Sequence, residues 1–231
     1  MHPALLLLTD SRLPAGGHAH SGGAEQAVAS GAVHDLPSLS AFLRGRLHTS
    51  GRVATAFAAA CCAACGAARA APDAPPGTPP WTGLDAEADA RTASPAQRAA
   101  SRIQGRLLLR VARRVWPAPA LDSLALAVPD PHHPVALGAA AHAAGASPGD
   151  AALAAAYHAV TGPATAAARL LGLDPVEVHR LLADLAPDLK ELASLVSGPE
   201  TAWAELSAHS APALDLLAER HARAAVRLFV S

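Results

Sequence analysis

Apolar positions along this chain recur at three- and four-residue intervals. Leu36, Leu39, Phe42, Leu43 and Leu47 follow that spacing and Val53 and Phe57 continue it, which predicts one long helix or two in tandem over residues 36–65. Gly51 marks a bend there, and unbroken the helix would run about 45 Å, enough to form a spine. A second stripe, Val178, Leu181, Leu182, Leu185, Leu189 and Leu192, predicts a helix over 176–196 that Pro187 kinks or breaks. Further helices are expected over about 151–171 and from the small-residue run that begins at Val135.

Local start signals agree with this pattern. In Ser94-Pro95-Ala96-Gln97 the serine is a natural N-cap, the proline suits the first helical position, and Gln97 can reach back as in a capping box. Asp174-Pro175-Val176-Glu177 follows the same logic. Ser147-Pro148-Gly149-Asp150 is a weaker case, because aspartate is not the usual capping-box partner. Between these starts, residues 71–82 are expected to form a Pro-rich loop, with five prolines between 71 and 81. The stretch 117–134 reads as a long connection in which Leu124, Leu126 and Val128 alternate as a short extended piece, cut off by Pro129 and Pro131. The helix that opens near Ser94 carries Arg98, Ser101, Gln104 and Gly105. A glycine inside a helix costs roughly 1 kcal/mol against alanine, so Gly105 points to a close helix crossing or a partner contact. The last segment, 212–231, is an amphipathic helix that either docks on its own body or waits for a partner.

Composition narrows the fold class. Hydrophobic residues make up 51% of the 231, but aromatics only 3%, and the alanine that fills the difference favours helices packed backbone to backbone. The expectation is all-α: a single-domain bundle of roughly eight to ten helices over 1–231 with a Pro-rich loop. A net charge of −1 supplies neither a basic field for nucleic acid nor a polybasic patch for a membrane. The opening apolar run is short, lacks a basic flank and meets Asp10 and Arg12 at once, and no segment approaches about 18 apolar residues, so a cytoplasmic protein is expected. The cysteines cluster as Cys61-Cys62-x-x-Cys65, which fits reduced thiols packed in a helix better than a disulfide framework or a complete metal site.

Chemistry concentrates in residues 9–28. Four glycines, Gly16, Gly17, Gly22 and Gly23, lie within eight residues together with His18, His20 and Ser21, and Glu25 follows. No P-loop, H-E-x-x-H or G-x-S-x-G pattern occurs, so no catalytic site, cofactor or resident metal is assigned. Two alternatives stay open: a metal-dependent hydrolase built on His18, His20 and Glu25, and a nickel carrier that uses dispersed histidines with Cys61, Cys62 and Cys65.

Leu13-Pro14-x-Gly16-Gly17-x-x-His20-Ser21-x-Gly23-x-Glu25 resembles the N-terminal signature of the UreF urease accessory proteins. Three later segments also resemble that family, in register: Arg98-x-x-Ser101-x-x-Gln104-Gly105-x-x-Leu108, His133-Pro134-Val135-Ala136-x-Gly138, and Arg227-Leu228-Phe229-x-Ser231. The chain departs from it at His18, where an aromatic is common, at Ala24, where leucine is, and at Leu173-Asp174-Pro175, where a Leu-Gly-Gln-like turn stands. The resemblance implies a non-enzymatic, all-α, commonly dimeric protein that bridges a UreD/UreH-type scaffold to the GTPase UreG and supports GTP-dependent nickel insertion into apo-urease. It implies partner-binding roles for Gly16, Gly17, His20, Ser21 and Glu25 in the loop and for Arg227 and Phe229 in the tail. Arg98, Ser101, Gln104 and Gly105 are implied at a helix crossing or a partner surface.

Overall fold

The computed structural model describes residues 2–70, 81–195 and 202–231. No strand occurs among them, and the chain is all-α. A short helix, α1 (Ala4–Leu8), opens the fold, and three long helices make its frame. α3 (Leu36–Arg46) runs through a π-helical turn at Leu47–Gly51 into α4 (Arg52–Ala70), so the bend expected at Gly51 is a change of helical pitch within one continuous rod. Against this rod lie α8 (His133–Ala143) and the longest helix, α9 (Pro148–Leu171), while α6 (Pro95–Val115) packs on the other side of α8.

Small residues let these helices approach. The buried face of α9 is mostly alanine, from Ala151 to Ala167. At the crossing of α8 on α4, a Cβ on Gly138 would stand 2.3 Å from the carbonyl oxygen of Ala58. Two apolar cores result. One gathers Phe57, Trp81, Leu108, Leu121 and Leu137 around α4, α6 and α8. The other gathers Leu39, Leu43, Leu47 and Val160 with Val178, Leu185, Leu189 and Leu192 of α10 (Pro175–Asp184) and α11 (Ala186–Ser194). The predicted stripe is therefore core, and it breaks at Leu185, two residues before Pro187.

Several expectations are corrected. Trp81 and Thr82 open α5 (Trp81–Ala90) and are not loop; residues 71–80 lie outside the described residues. The stretch expected to be extended is α7 (Pro119–Ala127). There Leu121 and Leu124 are buried one helical turn apart, whereas Leu126, half of the apparent alternation, is 88% exposed. The capping sites reverse in rank: Ser147 and Asp150 form the complete reciprocal box, whereas Asp174 caps only through Val176 N–H. Ser94 does accept from Gln97 N–H, but the Gln97 side chain turns to Asp215. Finally, Leu36–Ala67 is, contrary to expectation, long and apolar enough to cross a membrane by length and composition. Its Leu39, Leu43, Leu47, Phe57, Ala58 and Cys61 side chains are buried against the other helices.

Candidate functional site

Residues 16–25 form one wall of the site. A 3₁₀ turn at Gly17–Ala19 leads through Gly22 and Gly23, both at positive φ, into α2 (Ala24–Ala29). Gly22 is closely enclosed: an added Cβ would fall 2.9 Å from Pro163 Cγ and 3.2 Å from Arg46 Cζ. Pro163 sits inside α9 and cannot donate to the carbonyl of Ala159 four residues back. Arg46 Nε donates to that Ala159 oxygen at 2.9 Å, and Nη1 donates to Gly22 O at 2.8 Å. One guanidinium thus ties the signature loop to the proline-interrupted helix.

The chain's last residues close back onto this loop. Ser21 N–H and Oγ donate to Ser231 O at 2.5 and 2.9 Å, Val230 N–H donates to Ala19 O at 2.7 Å, and His20 Nδ1 lies 2.6 Å from Ser231 Oγ. Glu25 holds the tail by its backbone: Leu228 N–H donates to Oε1 at 2.7 Å and Phe229 N–H to Oε2 at 3.1 Å. His221, buried in α12 (Pro212–Arg223), donates from Nε2 to Oε2 at 2.8 Å. Burial opposes the charge on Glu25, but the bonds from Leu228, His221 and Phe229 outweigh it and hold the carboxyl below its ordinary range. His20, desolvated and near His18, has its pKa pulled down to about 4.

α6 supplies the second wall. Its N-terminus is capped from outside by α12: Glu219 Oε1 accepts from Ser94 Oγ at 2.6 Å and Ala96 N–H at 2.9 Å, and Asp215 accepts from Ser94 N–H and Gln97 Nε2. Arg98 donates to the carbonyls of Thr92 and Ala93, fixing the α5–α6 turn. Ser101 Oγ accepts from His133 N–H and meets His132 Nδ1, both at 3.0 Å. His132 Nε2 donates to Asp89 at 3.0 Å, so its Nδ1 accepts the Ser101 proton. Arg102 bridges Asp89 at 2.7 Å and Asp85 at 2.9 Å, and Asp85 also accepts His132 N–H at 2.7 Å. Gly105 is the close approach its sequence position suggested, since a Cβ there would lie 1.9 Å from Pro131 O.

Between the walls is a cavity of about 470 Å³, lined by Gly22 and Gly23 of the loop, Ser101 and Gln104 of α6, His133 and Pro134, and Arg227, Val230 and Ser231 of the tail. Four separate stretches of sequence therefore meet around one space. Of the residues singled out from sequence, His20, Ser21, Glu25 and Phe229 fix the loop to the tail, and Arg98, Ser101 and Gly105 fix α6. Gln104 and Arg227 line the cavity and make no hydrogen bond or ion pair among the described residues. Gly16 backs onto Leu107, while Gly17 is exposed and would admit a Cβ freely.

His18, exposed in its turn, is not brought together with His20 and Glu25 as a ligand set, and among the described residues no group of three or more His, Cys, Asp or Glu side chains is placed to hold a metal. Cys61 and Cys62 are buried with raised pKa values, Cys62 to about 12, and bond weakly to the carbonyls of Val135 and Ala146. They are packing thiols. The His133 and His158 rings lie 5.7 Å apart, tilted 46°, with pKa values pulled by burial to about 3 and about 4. Sequence reasoning passed over Arg46, Asp85 and Asp89. For Arg46 a signal existed: a charge one position before Leu47, on the apolar face of a helix.

Residues 33–186 match the UreF family model. Over 227 residues, 98% of this chain and 97% of theirs, the chain is 47% identical to the urease accessory proteins UreF of Mycolicibacterium vanbaalenii and of Mycobacterium sp. strain JLS. It is 43% identical, over the same span, to that of Mycobacterium tuberculosis.

Proposed function

The chain belongs to the UreF family, and from that premise we propose that it is a non-catalytic urease assembly protein. In this reading it bridges a UreD/UreH-type scaffold and the GTPase UreG, as a homodimer in the cytoplasm, and supports GTP-dependent nickel insertion into apo-urease. One observation carries the assignment of the contact surface. The signature loop and the tail form a single face, on which Val226 and Leu228 are 81% and 74% exposed and Arg227 has no partner among the described residues. An exposed apolar pair beside an unpaired guanidinium is a docking surface for another protein.

The mechanism is positional. Glu25 accepts from the Leu228 and Phe229 amides and so fixes the course of the tail, with Val226 and Leu228 exposed, Arg227 at the cavity wall and Phe229 packed inward. Residues such as Glu25, His20 and Ser21 act through this scaffold, and Arg227 with Leu228 supplies the contact. Co-expression with the scaffold and the GTPase, followed by affinity capture and urease assay, tests the reading. Arg227→Ala and deletion of residues 227–231 are expected to reduce capture of the scaffold at least tenfold and lower urease activation in parallel. Full capture and activation with both changes would remove the tail from the interface. Size-exclusion mass measurement of the isolated chain tests the dimer.

A further inference from the structure

We propose that the cavity between the loop, α6 and the tail is a binding site for a small free oxyanion, a carboxylate or tetrahedral anion, taken by Arg46, Gln104 and Arg227. All three line the cavity. Arg46 spends Nε and one Nη1 proton on backbone carbonyls, and no carboxylate pairs with it among the described residues. Only desolvation acts on it, drawing its pKa down to about 10 with no nearby negative charge to offset the cost. A guanidinium so placed keeps donors and a full charge for which the protein supplies no counterion. Gln104 and Arg227 add donors that nothing else occupies.

The wall also carries Arg91 and Asp215. Arg91 is paired with Glu87, and Asp215 is engaged by Ser94 N–H and Gln97. An entering anion therefore meets two guanidinium groups without a carboxylate partner among the described residues, Arg46 and Arg227, together with spare N–H groups, against the single charge of Asp215. The space suits a small ligand, and the walls contributed by Ala54, Ala96 and Ala100 would lower the local dielectric and strengthen the pairing.

The test uses the full chain in thermal unfolding and titration calorimetry, with inorganic phosphate and with acetate, at constant ionic strength held by sodium chloride. The expected result is a saturable rise in Tm of roughly 5–10 °C at a hundredfold excess over Kd, one equivalent per chain, for at least one of the two anions. Arg227→Ala and Gln104→Leu should each weaken that binding about tenfold while leaving the ligand-free Tm unchanged. A rise that chloride reproduces, a rise that persists unchanged in both variants, or no rise with either anion would overturn the proposal.

Discussion

Asp89 with His132 and Glu25 with His221 are the same chemical pair in two settings. The first spans 3.0 Å between α5 and the start of α8, and the second 2.8 Å between α2 and α12. Around the first pair, the further contacts come from helix or from the turn packed under α6: Arg102 and Arg98 on Asp89, and Ser101 and Asp85 on the side chain and backbone of His132. Around Glu25, the further contacts are two backbone N–H groups of a non-helical tail in which Val226 and Leu228 face solvent while Phe229 packs against the second core. Burial does not separate the pairs, since the Asp89 side chain is 40% exposed and the Glu25 side chain 14%; what separates them is that the first joins only helices and the turn at His132, whereas the second also holds a non-helical tail. Equal bond chemistry thus yields a fixed joint in one place and a releasable one in the other, because what lies behind the pair sets the cost of opening it.

The comparison can be broken most severely at Gly105. Gly105→Val forces a side chain into the Pro131 carbonyl beneath the fixed joint, and loss of at least about 3 kcal/mol is expected, read as a Tm fall on the order of 10 °C or more or as failure to recover folded protein. A near-native melt would show that the backbone there yields.

Acid comes next. His133 and His158 are held neutral in the folded chain, with pKa values of about 3 and about 4, whereas unfolded they protonate near 6.5. Stability should therefore fall as pH drops below 6.5 and continue falling toward 4, by at most about 1.4 kcal/mol per pH unit for each ring. Urea midpoints between pH 7 and 5 check this, and a flat profile would contradict the buried neutral state.

Asp85→Ala should cost about 2 kcal/mol, because it strands His132 N–H and one arm of Arg102 in the fixed joint; chemical denaturation measures it. Glu25→Gln should be the mildest, below about 1 kcal/mol in global unfolding. Its effect should instead be local: hydrogen exchange at the amides of Leu228 and Phe229 should speed up about tenfold or more. Since the Glu25 carboxyl is held below its usual 4.5, the wild-type protection should be full above that pH and fade as pH falls through the lowered value. Equal global losses for Asp85→Ala and Glu25→Gln would erase the distinction between the two joints.

Local rules carried the helices and their starts. Proline at the first helical position, serine and aspartate caps and the three-four apolar spacing each act within a few residues, so they could be read directly. They failed where two readings shared the same letters: Leu124, Leu126 and Val128 alternate, but Leu121, Leu124 and Val128 also lie on one helical face, and only burial against α8 chooses. Gly105 was legible as a close approach, though not what approaches it. Gln97 was assigned to its own cap, and the competing acceptor, Asp215, comes from 118 residues away.

The all-α class, most helix limits, the family resemblance and the four segments that carry it were legible in the letters, because each depends on short-range propensity or on residue identity. That those segments enclose one cavity, that Glu25 grips the tail backbone, and that Arg46 stands between Pro163 and Gly22 follows from packing across the whole chain. Such contacts join residues up to 211 positions apart. They arise from how packed helices bring distant backbone groups within hydrogen-bond reach, and no local pattern encodes that geometry.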